Sequence, residues 1–145
     1  MYSAVSRVLF SAFLMMLAAL PASAEVRILA SPGGQIGPFV RLFSVVSQIG
    51  ERVVIDGPCL SACTLVLTVV PRQRICVTPR AVLGFHAASS RDLFGQRVFE
   101  PEATDVVLAT YPRAVRQWII RHGGLSSEML LLRGRELAAM YPRCR

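Results

Sequence analysis

Between Val26 and His86 the chain switches repeatedly from short apolar runs of strand character to segments with helical spacing, and few architectures accept that alternation. The first run, Val26–Ala30, stops at Ser31-Pro32-Gly33-Gly34, a turn sharp enough to call for glycine. Over Ile36–Ile49 the apolar positions Phe39, Leu42, Phe43, Val46 and Ile49 recur at helical spacing, and Gly50 ends the pattern. Arg52–Ile55 reads as a second, β-branched strand closed by Asp56-Gly57-Pro58. Cys59–Thr64 then forms a bend, and Leu65–Val70 reads as a buried helix despite its β-branched content. Two further strands, Arg74–Val77 and Ala81–His86, flank the turn Thr78-Pro79-Arg80. Strand, helix, strand, helix, strand, strand is the order of crossover units on a mostly parallel sheet, so the sequence predicts a single small α/β domain.

The remainder is less regular. Ser89–Glu100 mixes charge, serine and glycine without a period and reads as a surface loop. Pro101 opens a long helix through Val106, Val107, Tyr111, Val115, Trp118 and Ile119, bent at Pro112 and ended by Gly123-Gly124. Ser126 is positioned to cap a short helix over Glu128–Leu132, and Glu136–Tyr141 reads as the last helix before Pro142.

Ahead of this domain, Arg7, the apolar run Val8–Leu20, Pro21 and the small triplet Ala22-Ser23-Ala24 have the three regions of a secretory signal peptide. Residues 1–24 are therefore expected to be removed, leaving a mature domain over 25–145 in the periplasm or outside the cell; the alternative is retention as an N-terminal membrane anchor. The four cysteines, Cys59, Cys63, Cys76 and Cys144, all follow the leader, and an even count in an exported chain points to disulfides. Three pairings are open, and any bridge to Cys144 would tie the chain's end to its body.

All 16 basic residues are arginine, and the formal net charge is +7. The arginines are scattered and lack interleaved aromatics, which argues against nucleic acid as a partner. A basic exported protein would instead be drawn to anionic lipid or envelope polymer as a peripheral contact. The absence of lysine also rules out any mechanism with a neutral lysine base, because arginine stays protonated in proteins.

Three features fall on consecutive element ends: the glycine pair Gly33-Gly34, the bend at Ser61, and His86 closing a strand. Singly they have ordinary structural readings as a tight turn, a helix cap and a packed histidine. Together they supply what acyl transfer needs: a nucleophile, a base and backbone donors for the oxyanion. Ser61 opening a helix gains from its dipole, the Ala62 N–H faces the same space, and Gly34, with Gly33, can add an unobstructed N–H.

Ser-Pro-Gly-Gly after the first strand, the Ser61-Ala62 bend and Gly84-Phe85-His86 resemble the Clp-type serine proteases of the wider Clp/crotonase superfamily, over about Val26 to Ala87. That resemblance implies a Clp/crotonase-like fold, Ser61 as nucleophile, His86 as general base and the Gly34 and Ala62 amides as the oxyanion hole. It implies a peptide or protein substrate and no cofactor, and it allows a homo-oligomer, since many superfamily members form rings or trimers. The family's third catalytic residue is an aspartate before a short Ala/Glu-rich helix. Gly134–Tyr141 resembles that helix, no aspartate occupies the expected place a little before it, and Glu128 stands nearest, with Asp105 and Glu136 as further candidates. An export signal makes an unfolding ATPase partner unexpected.

Two rival chemistries use the cysteines. Cys59, Cys63, Cys76 and His86 are four residues of ligand type, but their spacing is not a common zinc pattern and exported thiols oxidise, so no metal site is expected. A Cys63 nucleophile would need a reduced, low-pKa thiol in a compartment that disfavours one. A disulfide near the bend, holding Ser61 in place, is the better use. The rival to the enzyme reading is a catalytically silent binding or structural protein on the same scaffold.

Overall fold

A computed structural model describes residues 24–145, and the expected leader lies outside the described residues save for Ala24 at its end. Among the described residues no helix is long and apolar enough to cross a membrane. The chain is a small mixed α/β domain with a partly parallel sheet.

Strands β1 (Glu25–Ile28), β2 (Arg52–Ile55) and β4 (Ile75–Val77) form one parallel sheet in the order β1-β2-β4. Strands β3 (Pro58–Leu60), β5 (Val82–Phe85) and β8 (Leu130–Arg133) form a second, with β3 and β5 parallel and β8 antiparallel to β5. The two sheets are joined through their strands. β2 runs into β3 across Asp56-Gly57, and β4 runs into β5 across Thr78–Ala81, while Thr78 N–H donates to the Ile55 carbonyl and Val82 N–H to that of Gly57. Beyond β1, Ser31 bridges Cys59 in parallel, so three strand paths bend together from one sheet to the next.

Gly57 is what permits the bend. A Cβ there would lie 1.9 Å from the Leu29 carbonyl oxygen, so a side chain would push β1 off β2. Beside it Asp56, 6% exposed, holds three segments together. Its carboxylate accepts from Arg80 Nη2 at 2.6 Å and Nε at 3.1 Å, from Thr78 Oγ1 at 2.7 Å and from Arg27 Nη1 at 3.0 Å. Arg80 and Thr78 hold the Asp56 carboxyl well below the usual carboxylate range, with Arg27 adding to the effect against the opposing pull of burial.

The helices cover the bent sheets. Helix α1 (Ile36–Gln48) buries Phe43 and Val46 and half-buries Phe39. Leu42 and Ile49, expected on that inward face, are instead 54% and 61% exposed, because the helix carries two apolar stripes and Leu42, Val45 and Ile49 form the outer one. The expected helix Leu65–Val70 is shorter: a 3₁₀ turn over Ser61–Leu65 passes into α2 (Val66–Val69). A second 3₁₀ turn, Arg72–Arg74, precedes β4.

The long helix predicted after Pro101 is two, α3 (Pro101–Thr110) and α4 (Arg113–Arg121), since Pro112 bars helical geometry at Tyr111, which is extended at φ −65°, ψ 146°. α4 turns Val115, Trp118 and Ile119 into the core. The helix predicted over Glu128–Leu132 does not form; Leu130–Arg133 is β8, where pairing with β5 overrides the helical propensity of its leucines. Ser89–Glu100, read as a loop, contains a hairpin of β6 (Ser89–Arg91) and β7 (Arg97–Phe99). The last helix, α5 (Gly134–Met140), starts two residues earlier than predicted.

Asp56 yields a pH prediction. A carboxyl held below its unfolded value contributes stability that is present above about 3.8 and lost as pH falls toward the folded value. Between pH 5 and pH 2 the urea midpoint of the wild type is expected to drop further than that of Asp56→Asn, which starts lower and lacks this carboxylate. Parallel curves for the two proteins would show that the Asp56 cluster contributes nothing to acid stability.

Candidate functional site

The carboxyl ends of three neighbouring parallel paths open on one edge, which is where open α/β sheets place their sites. Ser31 pairs with Cys59, and Leu60 pairs with Gly84. The residues just past those pairs are therefore neighbours: the glycine pair Gly33-Gly34, then Ser61 and Ala62, then His86.

Ser61 is the only non-glycine residue with positive φ among the described residues, at +54°. This left-handed conformation costs of order 1–3 kcal/mol and persists only where the surroundings impose it. Three surroundings do so. The Cys59–Cys63 disulfide brackets the serine. Thr64 Oγ1 donates to the Ser61 carbonyl at 2.7 Å and accepts in turn from the Tyr111 hydroxyl, which is buried. Gly33, at φ +84°, lies so close that a Cβ on it would stand 2.5 Å from Ser61 Cβ and 2.5 Å from the Leu60 carbonyl oxygen.

His86 Nε2 lies 2.8 Å from Ser61 Oγ, and its Nδ1 lies 2.6 Å from the Ala87 carbonyl oxygen. A carbonyl only accepts, so Nδ1 carries the proton and Nε2 presents its lone pair to the serine hydroxyl. That is the tautomer of a general base. The Ala87 N–H donates to the Ser126 carbonyl at 2.7 Å, and the Ala88 N–H to Thr104 Oγ1 at 2.9 Å, so the segment that orients the ring is pinned from two sides.

The carboxylates behave differently from expectation. Glu128 is exposed and makes no hydrogen bond to His86; the Ala87 carbonyl occupies Nδ1 in its place, because Glu128 sits in the turn before β8 rather than on a helix aimed at the ring. Glu136 Oε1 accepts from Trp118 Nε1 at 3.0 Å, and Asp105 is exposed on α3. His122 is also apart, stacked on Trp118 with ring centroids 4.2 Å apart and Nδ1 donating to the Trp118 carbonyl at 2.8 Å.

Of the candidate oxyanion donors, Gly33 N–H is directed to Ser31 Oγ at 3.3 Å. Gly34 N–H has no hydrogen-bond partner among the described residues, and Ala62 N–H falls in the first turn of a helix, where amides lack intrahelical partners. Gly34 and Ala62 both line a cleft of about 890 Å³ into which Ser61 and His86 open.

All four cysteines are in disulfides, Cys59–Cys63 and Cys76–Cys144, the state favoured by an oxidising, extracytoplasmic compartment. With their sulfurs paired they present neither a zinc-binding set nor a thiol nucleophile at Cys63. Thr64 and Tyr111 escaped sequence reading, although a threonine three residues after the candidate nucleophile, inside an apolar run, was a visible signal. A comparison with protein-family models finds none that matches this chain, and a comparison with curated proteins finds no match either.

The disulfides divide the work by loop length. Closing a separation of 68 stabilises by roughly 4 kcal/mol in the chain-entropy account, against roughly 2 kcal/mol for a separation of 4. Replacing Cys76 and Cys144 by serine is therefore expected to cost about twice as much in chemical denaturation as replacing Cys59 and Cys63 by alanine. An equal or reversed cost would refute the assignment of Cys76–Cys144 as the main staple.

Burial pushes both the Tyr111 and Tyr141 hydroxyls up to about 12, the former against an opposing contribution from its Thr64 hydrogen bond. The folded state thus keeps protons that the unfolded chain loses near pH 10, so the stability they give is intact below that pH and declines as pH rises toward 12. In alkaline titrations followed by circular dichroism, Tyr111→Phe combined with Tyr141→Phe should flatten the decline between pH 9.5 and 11.5. A slope equal to that of the wild type would count against it.

Proposed function

We propose that this protein is an exported, ATP-independent serine hydrolase that cleaves peptide bonds with Ser61 and His86. The observation carrying the proposal is the 2.8 Å approach of His86 Nε2 to a serine held at φ +54° on a helix-opening turn. The bent, partly parallel strand array, with a glycine turn, a serine turn and a histidine at three neighbouring strand ends, accords with the resemblance to Clp-type proteases and the Clp/crotonase fold. Two disulfides support export.

In this reading Ser61 Oγ attacks the scissile carbonyl while His86 Nε2 takes its proton. The negative charge passes to the carbonyl oxygen, held by the Gly34 and Ala62 amides. The imidazolium then protonates the departing amine, and the acyl group left on Ser61 is released by a water that His86 deprotonates. The Ala87 carbonyl does the orienting work of the usual carboxylate. It fixes the tautomer, yet as a neutral dipole it compensates the imidazolium charge less than an ionised group would, so turnover is expected to be modest.

That same contact favours a second reading, a catalytically silent binding protein, because no carboxylate reaches Nδ1. One experiment separates the two. A fluorophosphonate probe is expected to label the purified protein, to fail on Ser61→Ala, and to react at least about 100-fold more slowly with His86→Ala. Absent labelling, or labelling unchanged in Ser61→Ala, would leave only the silent scaffold.

A further inference from the structure

The cleft in front of Ser61 is electrostatically one-sided. Arg91 and Arg97 line it, and among the described residues no aspartate or glutamate does. These two arginines are paired directly across the β6–β7 hairpin, where like charges destabilise the ribbon unless something lies between them.

Nothing in the described chain neutralises them. Arg91 gives Nη1 to the Gly95 carbonyl at 2.7 Å, and Arg97 makes no side-chain hydrogen bond or ion pair among the described residues. The nearby acids are engaged elsewhere. Asp92 Oδ1 accepts the Phe94 and Gln96 amides at the hairpin tip, and Glu100 Oε1 accepts from Ser90 Oγ at 2.6 Å. The rest of the wall mixes apolar Ile36, Leu65, Val107 and Met129 with uncharged polar side chains such as Gln35 and Ser127.

Resting on the hydrolase reading, we propose that Arg91 and Arg97 form a subsite for a substrate carboxylate, so that the cleft selects peptides with an acidic group near the bond cut at Ser61. Two arginines paired across a hairpin that borders one cleft suit a planar carboxylate, whose oxygens can accept N–H bonds from both guanidinium groups. The carboxylate is either an Asp or Glu side chain or a free peptide C-terminus. Its binding relieves the repulsion between the two strands, and the arginines act as specificity residues that take no part in bond breaking.

The test uses matched fluorogenic peptides carrying Glu, Gln or Lys at one position at a time, each with a free or an amidated C-terminus. The wild type should cleave a Glu peptide about tenfold to a hundredfold better in kcat/KM than its Gln counterpart, chiefly through KM, with the Lys peptide poorest. The advantage should shrink as salt rises. Arg91→Gln combined with Arg97→Gln should bring the Glu/Gln ratio close to one at an unfolding temperature no lower than that of the wild type, and Arg97→Glu should move the preference toward Lys. A side-chain source predicts discrimination in the amidated series, and a C-terminal source predicts it only between free and amidated peptides. Binding of the same labelled peptides to Ser61→Ala, read by anisotropy, reports the subsite without turnover, so a failed fluorophosphonate reaction and a failed subsite remain distinguishable. No preference among the peptides in either assay, or a preference that survives the double substitution, overturns the proposal. So does a double variant that loses only its binding to anionic lipid vesicles, which would assign the arginines to a membrane surface.

Discussion

The Ser61 turn sits where it does because the chain leaving β1 runs against it with no side chain between them. At Gly33 there is no room for a Cβ, and the Leu60 N–H donates to the Ser31 carbonyl at 2.9 Å, so the backbone of one strand path forms the wall of the next. From that contact follow the left-handed serine, its approach to His86 and the placing of the Gly34 and Ala62 amides on one cleft. The disulfide and the Thr64–Tyr111 hydrogen bond secure the arrangement from the other side.

A backbone carbonyl in the orienting role changes how this site should be understood. The hydrogen bond at 2.6 Å is accepted by the residue next to the histidine, so the imidazole is oriented by its own strand end, with no carboxylate in that place. The cost falls on charge compensation, and it is set against a cleft that already carries positive charge. In the proposed reaction an anionic substrate would offset that charge.

Much of the first half of the domain was legible. Arg52–Ile55 is a strand at the residues read from its β-branched pattern, and the helix from Ile36 differs by one residue at its end. The neighbourhood of Ser61 and His86 was also readable, because glycine, serine and histidine fell on successive element ends. What stayed hidden depended on distant partners. Leu130–Arg133 looks helical until β5 is there to pair with it, and Glu128 looks catalytic until the turn before β8 carries it outward. Asp56 gave no local sign of joining Arg27 to Arg80, since these meet only when two strand paths bend together. The β6–β7 hairpin lacked an apolar alternation, although Asp92 and Gly95 at its tip are the residues such a turn requires.

The bends that carry β2 into β3 and β4 into β5 also govern where this chain can vary in length. Each strand is held in a fixed register by its neighbours, so a residue inserted or deleted inside β2, β3, β4 or β5 would turn the rest of that strand's side chains to the opposite face of its sheet. The hairpin tip at Asp92–Gln96 belongs to none of these registers, and Leu93 there is 100% exposed. Natural or designed variants can therefore lengthen the chain at the rim of the cleft while the spacing of serine and histidine stays as it is.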